Sequence, residues 1–208
     1  MTATQATQTR LERRRPAEQT RARLPDAEGH IERGGVRVRW ERHGDGDPTL
    51  LLLPAWSLIH SRQWKAQVPY LARHFRVVTF DPRGNGRSDR PVTAEAYDDD
   101  QYVADAEAVL DATGTGRAVL VGLSRGAQPA SRVEVEALLR RVRCPVLVVH
   151  GSDDRVRPHA VGAAVAELTG GRLVTIEGGG HCPQARHPVI VNLLVREFVE
   201  TLGGGAAR

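Results

Sequence analysis

Short apolar runs and stretches of helical spacing alternate along this chain from about residue 36 to residue 199. That alternation restricts the fold more than any other feature of the sequence. Val36-Arg37-Val38-Arg39-Trp40 alternates apolar and polar side chains, as a strand with one wet face does. Leu50 to Leu53 and Val77 to Phe80 are continuous apolar runs, the mark of strands covered on both faces. Between them Trp64, Val68 and Leu71 recur at helical spacing, and Val103, Ala106, Val109 and Leu110 make a second helical stripe. That stripe leads through Gly114 and Gly116 into a strand at Ala118 to Val121. A strand at Val146 to Val149, a helix from about His159 to Leu168, a strand at Leu173 to Ile176 and a last helix bearing Ile190, Leu193, Leu194, Val195 and Phe198 complete the series. The order predicts an α/β fold, a mostly parallel sheet with helices on both faces.

With 208 residues the chain has enough surface to bury for one continuous core. Residues 29–202 are expected to form that domain. Met1 to Glu28, polar, rich in arginine and without an apolar period, reads as a disordered tail, and 203–208, opening with three glycines, as a flexible end. The net charge is +4 and Lys65 is the only lysine; Arg13-Arg14-Arg15 is the one dense basic run. So small an excess without a basic face excludes nucleic acid as the expected partner. No apolar stretch reaches the roughly 18 residues of a membrane span, and no apolar leader opens the chain, so a cytoplasmic protein without membrane contact is expected. Cys144 and Cys182 give neither a disulfide framework nor metal-ligand spacing, and no metal or organic cofactor is expected.

The polar residues with chemistry to offer fall just past the strands. Asp81-Pro82-Arg83-Gly84-Asn85-Gly86-Arg87-Ser88 follows one, Gly122-Leu123-Ser124-Arg125-Gly126 the next, Asp154 the one after, and His181 the last. Loops at the carboxyl ends of parallel strands meet along one edge, where open α/β sheets keep their sites. A glycine-flanked serine directly after a strand is the pattern of a strained turn that lifts its hydroxyl above the sheet. A histidine can take that hydroxyl's proton while a carboxylate holds the imidazole in one tautomer.

In these motifs, from about His30 to Leu202, the chain resembles the α/β-hydrolase family. The Cys144-Pro145-Val146-Leu147-Val148-Val149-His150-Gly151-Ser152-Asp153-Asp154 segment and Gly178-Gly179-Gly180-His181 complete the likeness. The resemblance implies Ser124 as nucleophile, Asp154 as acid and His181 as base, in the family's chain order. Asp153 then reads as a turn or cap residue, and His150, His159 and His187 as satisfied or solvent-facing histidines. Ser57, Ser61, Ser88 and Ser152 are left to turns and caps. The resemblance also implies an oxyanion hole made by the backbone N–H of Arg125 and of Trp56, with Ala55 as the alternative to Trp56; Pro54 has no N–H. Arg83 and Asp81 are expected to brace their loop. Serine at the elbow points away from haloalkane dehalogenases, which resemble this chain but carry a carboxylate there.

One departure has geometric consequences. Only the seventeen residues Ala127 to Arg143 separate the elbow from Cys144-Pro145. Val135, Leu138, Leu139 and Val142 allow one helix of about a dozen residues starting near Ser131, enough for a single crossover. The resemblance therefore implies a core that lacks one strand, most of the helix after the elbow and the cap. Either the acid-bearing strand closes up on the elbow strand, moving by roughly 4.8 Å and breaking the relay, or a slot stays open in the sheet. An open slot leaves an unpaired edge, and with it self-association is expected. The implied function is hydrolysis of an ester or similar acyl bond in a small-molecule substrate by a Ser-Asp-His relay. The alternative is an inactive remnant or binding module that keeps the motifs without the geometry.

Overall fold

The computed structural model describes residues 23–55, 59–124 and 132–203. The described residues form seven strands, one more than the sequence reading gives, and from β3 onward they alternate with helices: β1 Ala27–Arg33, β2 Val36–His43, β3 Thr49–Leu52, β4 Arg76–Phe80, β5 Ala118–Val121, β6 Leu147–Gly151 and β7 Arg172–Ile176. The helices are α1 Val68–Leu71, α2 Asp99–Ala112, α3 Arg132–Arg140, α4 His159–Thr169, α5 Pro183–Arg186 and α6 Pro188–Gly203.

Two elements differ from the sequence reading. β1 starts at Ala27, inside the stretch read as a disordered tail, and pairs antiparallel with β2 from Ala27–Arg42 to Arg33–Val36. Its apolar content is almost confined to Ile31, so periodicity misses it. Gly34 and Gly35, both at positive φ, close the two-residue hairpin that fixes it. The helix expected through Trp64, Val68 and Leu71 is split into a 3-10 turn at Ser61–Trp64 and the single turn α1. Pro69, in the first turn of α1, has no N–H to continue a helix from the preceding turn. At the other end, α6 runs to Gly203, the first residue of the stretch read as flexible.

β1 to β5 form one sheet in the order β1-β2-β4-β3-β5, and β6 and β7 form another. β3 runs parallel to both β4 and β5, and β6 parallel to β7. Among the described residues no backbone hydrogen bond joins β5 to β6. Of the two arrangements open to a chain with so short a connection, the structure takes the slot. α3 makes the crossover and packs on α4, beside the smaller sheet. Leu120, on the free edge strand of the larger sheet, is 61% exposed.

α6 holds the two sheets in register. Val199, buried on its inner face, joins the core cluster of Leu50, Trp64, Leu71 and Val77, while the same helix touches β6. Buried polar side chains reinforce this joint: Asn192 Nδ2 donates to Ala66 O (3.0 Å) and Gln67 Nε2 to Gln184 O (2.8 Å). Among the described residues no helix is long and apolar enough to cross a membrane.

Candidate active site

Ser124 sits three residues past the end of β5 at φ 52°, the only non-glycine residue at positive φ among those described. Holding a side-chain-bearing residue there costs about 1–3 kcal/mol, which neighbouring structure must offset. Its Oγ lies 3.1 Å from His181 Nε2, and His181 Nδ1 lies 2.9 Å from Asp154 Oδ2. The three residues named from sequence are thus brought into hydrogen-bond sequence across the slot. Their hydroxyl, imidazole and carboxylate come from the carboxyl ends of β5, β7 and β6.

The acid is held tightly. Its Oδ1 accepts the backbone N–H groups of Val156 (2.9 Å) and Arg157 (2.8 Å), and its side chain is 5% exposed. Burial works to raise its pKa, but the N–H of Arg157, the His181 ring and the N–H of Val156 outweigh it and hold the carboxyl below its ordinary value. An ionised carboxylate only accepts, so His181 Nδ1 carries the proton that lies between them. Nε2 is then the free acceptor facing the Ser124 hydroxyl.

Close backbone approach sets the distance between acid and histidine loops. A Cβ on Gly151 would collide with the Gly179 carbonyl, so only glycine lets the loops meet. There Ser152 N–H donates to Ile176 O (3.0 Å), Asp153 N–H to Gly179 O (2.9 Å), and Gly178 N–H to Ser152 Oγ (2.8 Å). Asp153 and Ser152 therefore serve the turn.

The other candidates resolve in the same way. His159 Nε2 is 2.8 Å from Thr175 Oγ1. His150 is satisfied by Arg157 O, 2.9 Å from its Nε2, but that nitrogen also stands 3.4 Å from Asp154 Oδ2. A second imidazole beside the acid is a neighbour that sequence reasoning did not foresee; the His150–Asp154 spacing of four residues around a tight turn is its only trace.

Asp81 accepts from Ser61 N–H (2.9 Å), Ser61 Oγ–H (2.7 Å) and Arg87 N–H (2.9 Å), and Ser88 Oγ–H donates to Asp81 O (2.7 Å). Arg83 reaches away to α2 and the turn before it, where its guanidinium makes two 2.7 Å bonds to buried Asp105 and a 2.8 Å bond to Ala96 O. Both residues brace the loop, as expected.

Trp56 and Arg125, the expected oxyanion donors, lie outside the described residues, as does Ser57. Ala55, the alternative to Trp56, is committed elsewhere. With the Gln63 amide turned to satisfy its neighbours, the amide oxygen accepts from Ala55 N–H at 2.9 Å. Among the described residues no cluster of His, Cys, Asp and Glu could hold a metal ion.

A cleft of about 520 Å³ opens beside the relay. It touches Ser124, His181 and Asp154 and runs along β5, β6, α3 and α4.

A strained serine at one strand end, met by a histidine and a buried carboxylate from two later strand ends, is an architecture of serine-type α/β proteins. A family model described as alpha/beta hydrolase fold matches residues 48–133. Epoxide hydrolase A of Mycobacterium tuberculosis is 37% identical over 99 residues, 47% of this chain and 30% of that protein. A non-heme haloperoxidase of Rhodococcus erythropolis is 33% identical over 115 residues, 55% of this chain and 40% of its own length. The chain thus spans less than half of the length of either relative. A bromoperoxidase from Bacillus anthracis superposes with a TM-score of 0.73 at 17% identity, covering 84% of this chain and 100% of that one. Over residues 48–133 the chain thus matches the model of the α/β-hydrolase family, and it has that fold in a shortened form.

Proposed function

We propose that this protein is a serine hydrolase that cleaves an ester or similar acyl bond in a small molecule. The observation that carries the reading is the unbroken sequence Ser124 Oγ, His181 Nε2 at 3.1 Å, His181 Nδ1, Asp154 Oδ2 at 2.9 Å, on a serine at φ 52°.

In this reading Ser124 Oγ attacks the acyl carbon as its proton passes to His181 Nε2, and Asp154 steadies the imidazolium that forms. The leaving alcohol takes that proton. Water, deprotonated by the same nitrogen, then attacks the acyl-serine; Ser124 regains its proton, and the departing carboxylic acid loses its own to solvent. The backbone N–H groups of Arg125 and Trp56 are the oxyanion donors of the reading, by their place after the serine and after β3. The reading calls on no metal or cofactor.

The split sheet is the one observation that favours a non-catalytic remnant. Against it, a binding module would use neither the strained serine nor the buried, hydrogen-bonded carboxylate. Incubation of the folded chain with a fluorophosphonate probe decides between them. Covalent labelling that disappears in Ser124→Ala is the expected result, and a folded wild type that takes no label would refute the reading.

A further inference from the structure

We infer that the slot between the two sheets is an acyl-chain channel, and that the substrate is an ester with a linear apolar acyl group whose tail lies between β5 and β6. The inference rests on the reading of Ser124 as the nucleophile and adds the substrate's chemical class.

Three observations lead to it. First, the cleft of about 520 Å³ follows the interruption in the sheet, with β5 on one side and β6, α3 and α4 on the other. A gap where one strand would lie is about 9.6 Å from strand to strand, twice the ordinary spacing, which suits a thin unbranched chain. Second, away from the relay the walls are apolar: Leu120, Leu123, Leu139, Val142, Val149 and Val165 line the cleft. Among its described lining residues Arg157 is the only charged side chain apart from the relay and His150. Away from Arg157, a polar or charged acyl group would lose water there without finding charged partners among the described lining residues, whereas an alkyl chain loses nothing. Third, the cleft is continuous with Ser124 and His181, so a chain lying in it can be bonded to the carbon that Ser124 attacks.

The acyl side, not the alcohol side, belongs in the channel. The alcohol must depart while the acyl group is bonded to Ser124 Oγ, and water must then reach His181. A tail buried along β6 keeps the acyl-serine in place through both steps and leaves the open side free for alcohol and water.

A series of p-nitrophenyl esters from acetate through butyrate and hexanoate to octanoate tests this on the intact chain. Wild type should gain about fourfold in kcat/KM per added methylene, as complete burial of each CH₂ implies. Leu139→Trp and, as a second variant in case that one does not fold, Val142→Phe should each cut the octanoate-to-acetate ratio at least tenfold by filling the channel. Ser124-dependent turnover with a flat chain-length series would overturn the channel and leave the hydrolase reading standing. A steep series that neither folded variant changes would place the tail elsewhere and overturn it as well. Absence of Ser124-dependent turnover of every ester would overturn both together. If sedimentation at the assay concentration shows a dimer and the length preference appears only in the monomer, a second copy of the chain occupies the slot and the channel assignment fails for the assembled protein.

Discussion

At the scale of single residues, each member of the proposed relay is fixed by something other than its relay partner. Asp154 is pinned by two backbone N–H groups before His181 reaches it, and Ser124 is held at a dihedral angle that its own side chain disfavours. The acid's lowered pKa has a definite pH signature. A carboxyl whose folded value lies below its unfolded value, near 3.9, contributes stability that is fully present above the unfolded value and lost as pH falls through the folded one. The stability gap between wild type and Asp154→Asn, measured by denaturant unfolding, should therefore persist from neutral pH to about pH 4 and close below it. A gap already closed near pH 6 would contradict this account of Asp154. Gly151→Ala is the matching steric test. Forcing a methyl group against the Gly179 carbonyl should cost about 1–3 kcal/mol of stability, and by separating the acid and histidine loops it should slow ester hydrolysis by at least tenfold. The three residues that meet in hydrogen-bond sequence were legible in the sequence, because a glycine-flanked serine, a carboxylate past a strand and a histidine in a glycine loop are local patterns. His150 beside Asp154 was not, because its approach depends on how the turn at Gly151 folds back.

At the scale of elements, the strands buried on both faces and the longer helices were readable from their periods, and the elements that hold the loops were not. β1 carries too few apolar residues to announce itself and is fixed instead by a glycine pair and its ladder to β2. α2 is tied down by a charge that periodicity ignores. Asp105 is fully buried and accepts from Arg83 twice at 2.7 Å and from Arg33 at 2.8 Å. Asp105→Asn should cost about 3–5 kcal/mol, since it leaves the buried Arg83 guanidinium without its counter-charge. Equilibrium unfolding with an unchanged m-value checks it; a loss under 1 kcal/mol would show that the pair is dispensable. In the described part of the short segment before Cys144-Pro145, 132–143, there is a helix and no strand. What the sequence could not reveal is which of two responses the sheet would make, because that depends on α6, whose contacts reach across the whole chain.

At the scale of the molecule, two sheets share one site. β5 presents Ser124 from the larger sheet, β6 and β7 present Asp154 and His181 from the smaller one, and α6 packs on both sheets. The open edge at β5, with Leu120 exposed, is the weak point of this arrangement. Leu120→Lys should reduce concentration-dependent association in sedimentation runs, as a charge on an exposed edge strand does; equal association in both proteins would show that this edge is not the contact. A relay spanning the interrupted sheet should act as one unit. A double-mutant cycle on ester hydrolysis tests it most directly, with wild type, Ser124→Ala, His181→Ala and the double variant compared under one condition. The account predicts that each single variant loses nearly as much rate as the double. Losses that multiply independently, or turnover that survives removal of Ser124, would contradict it.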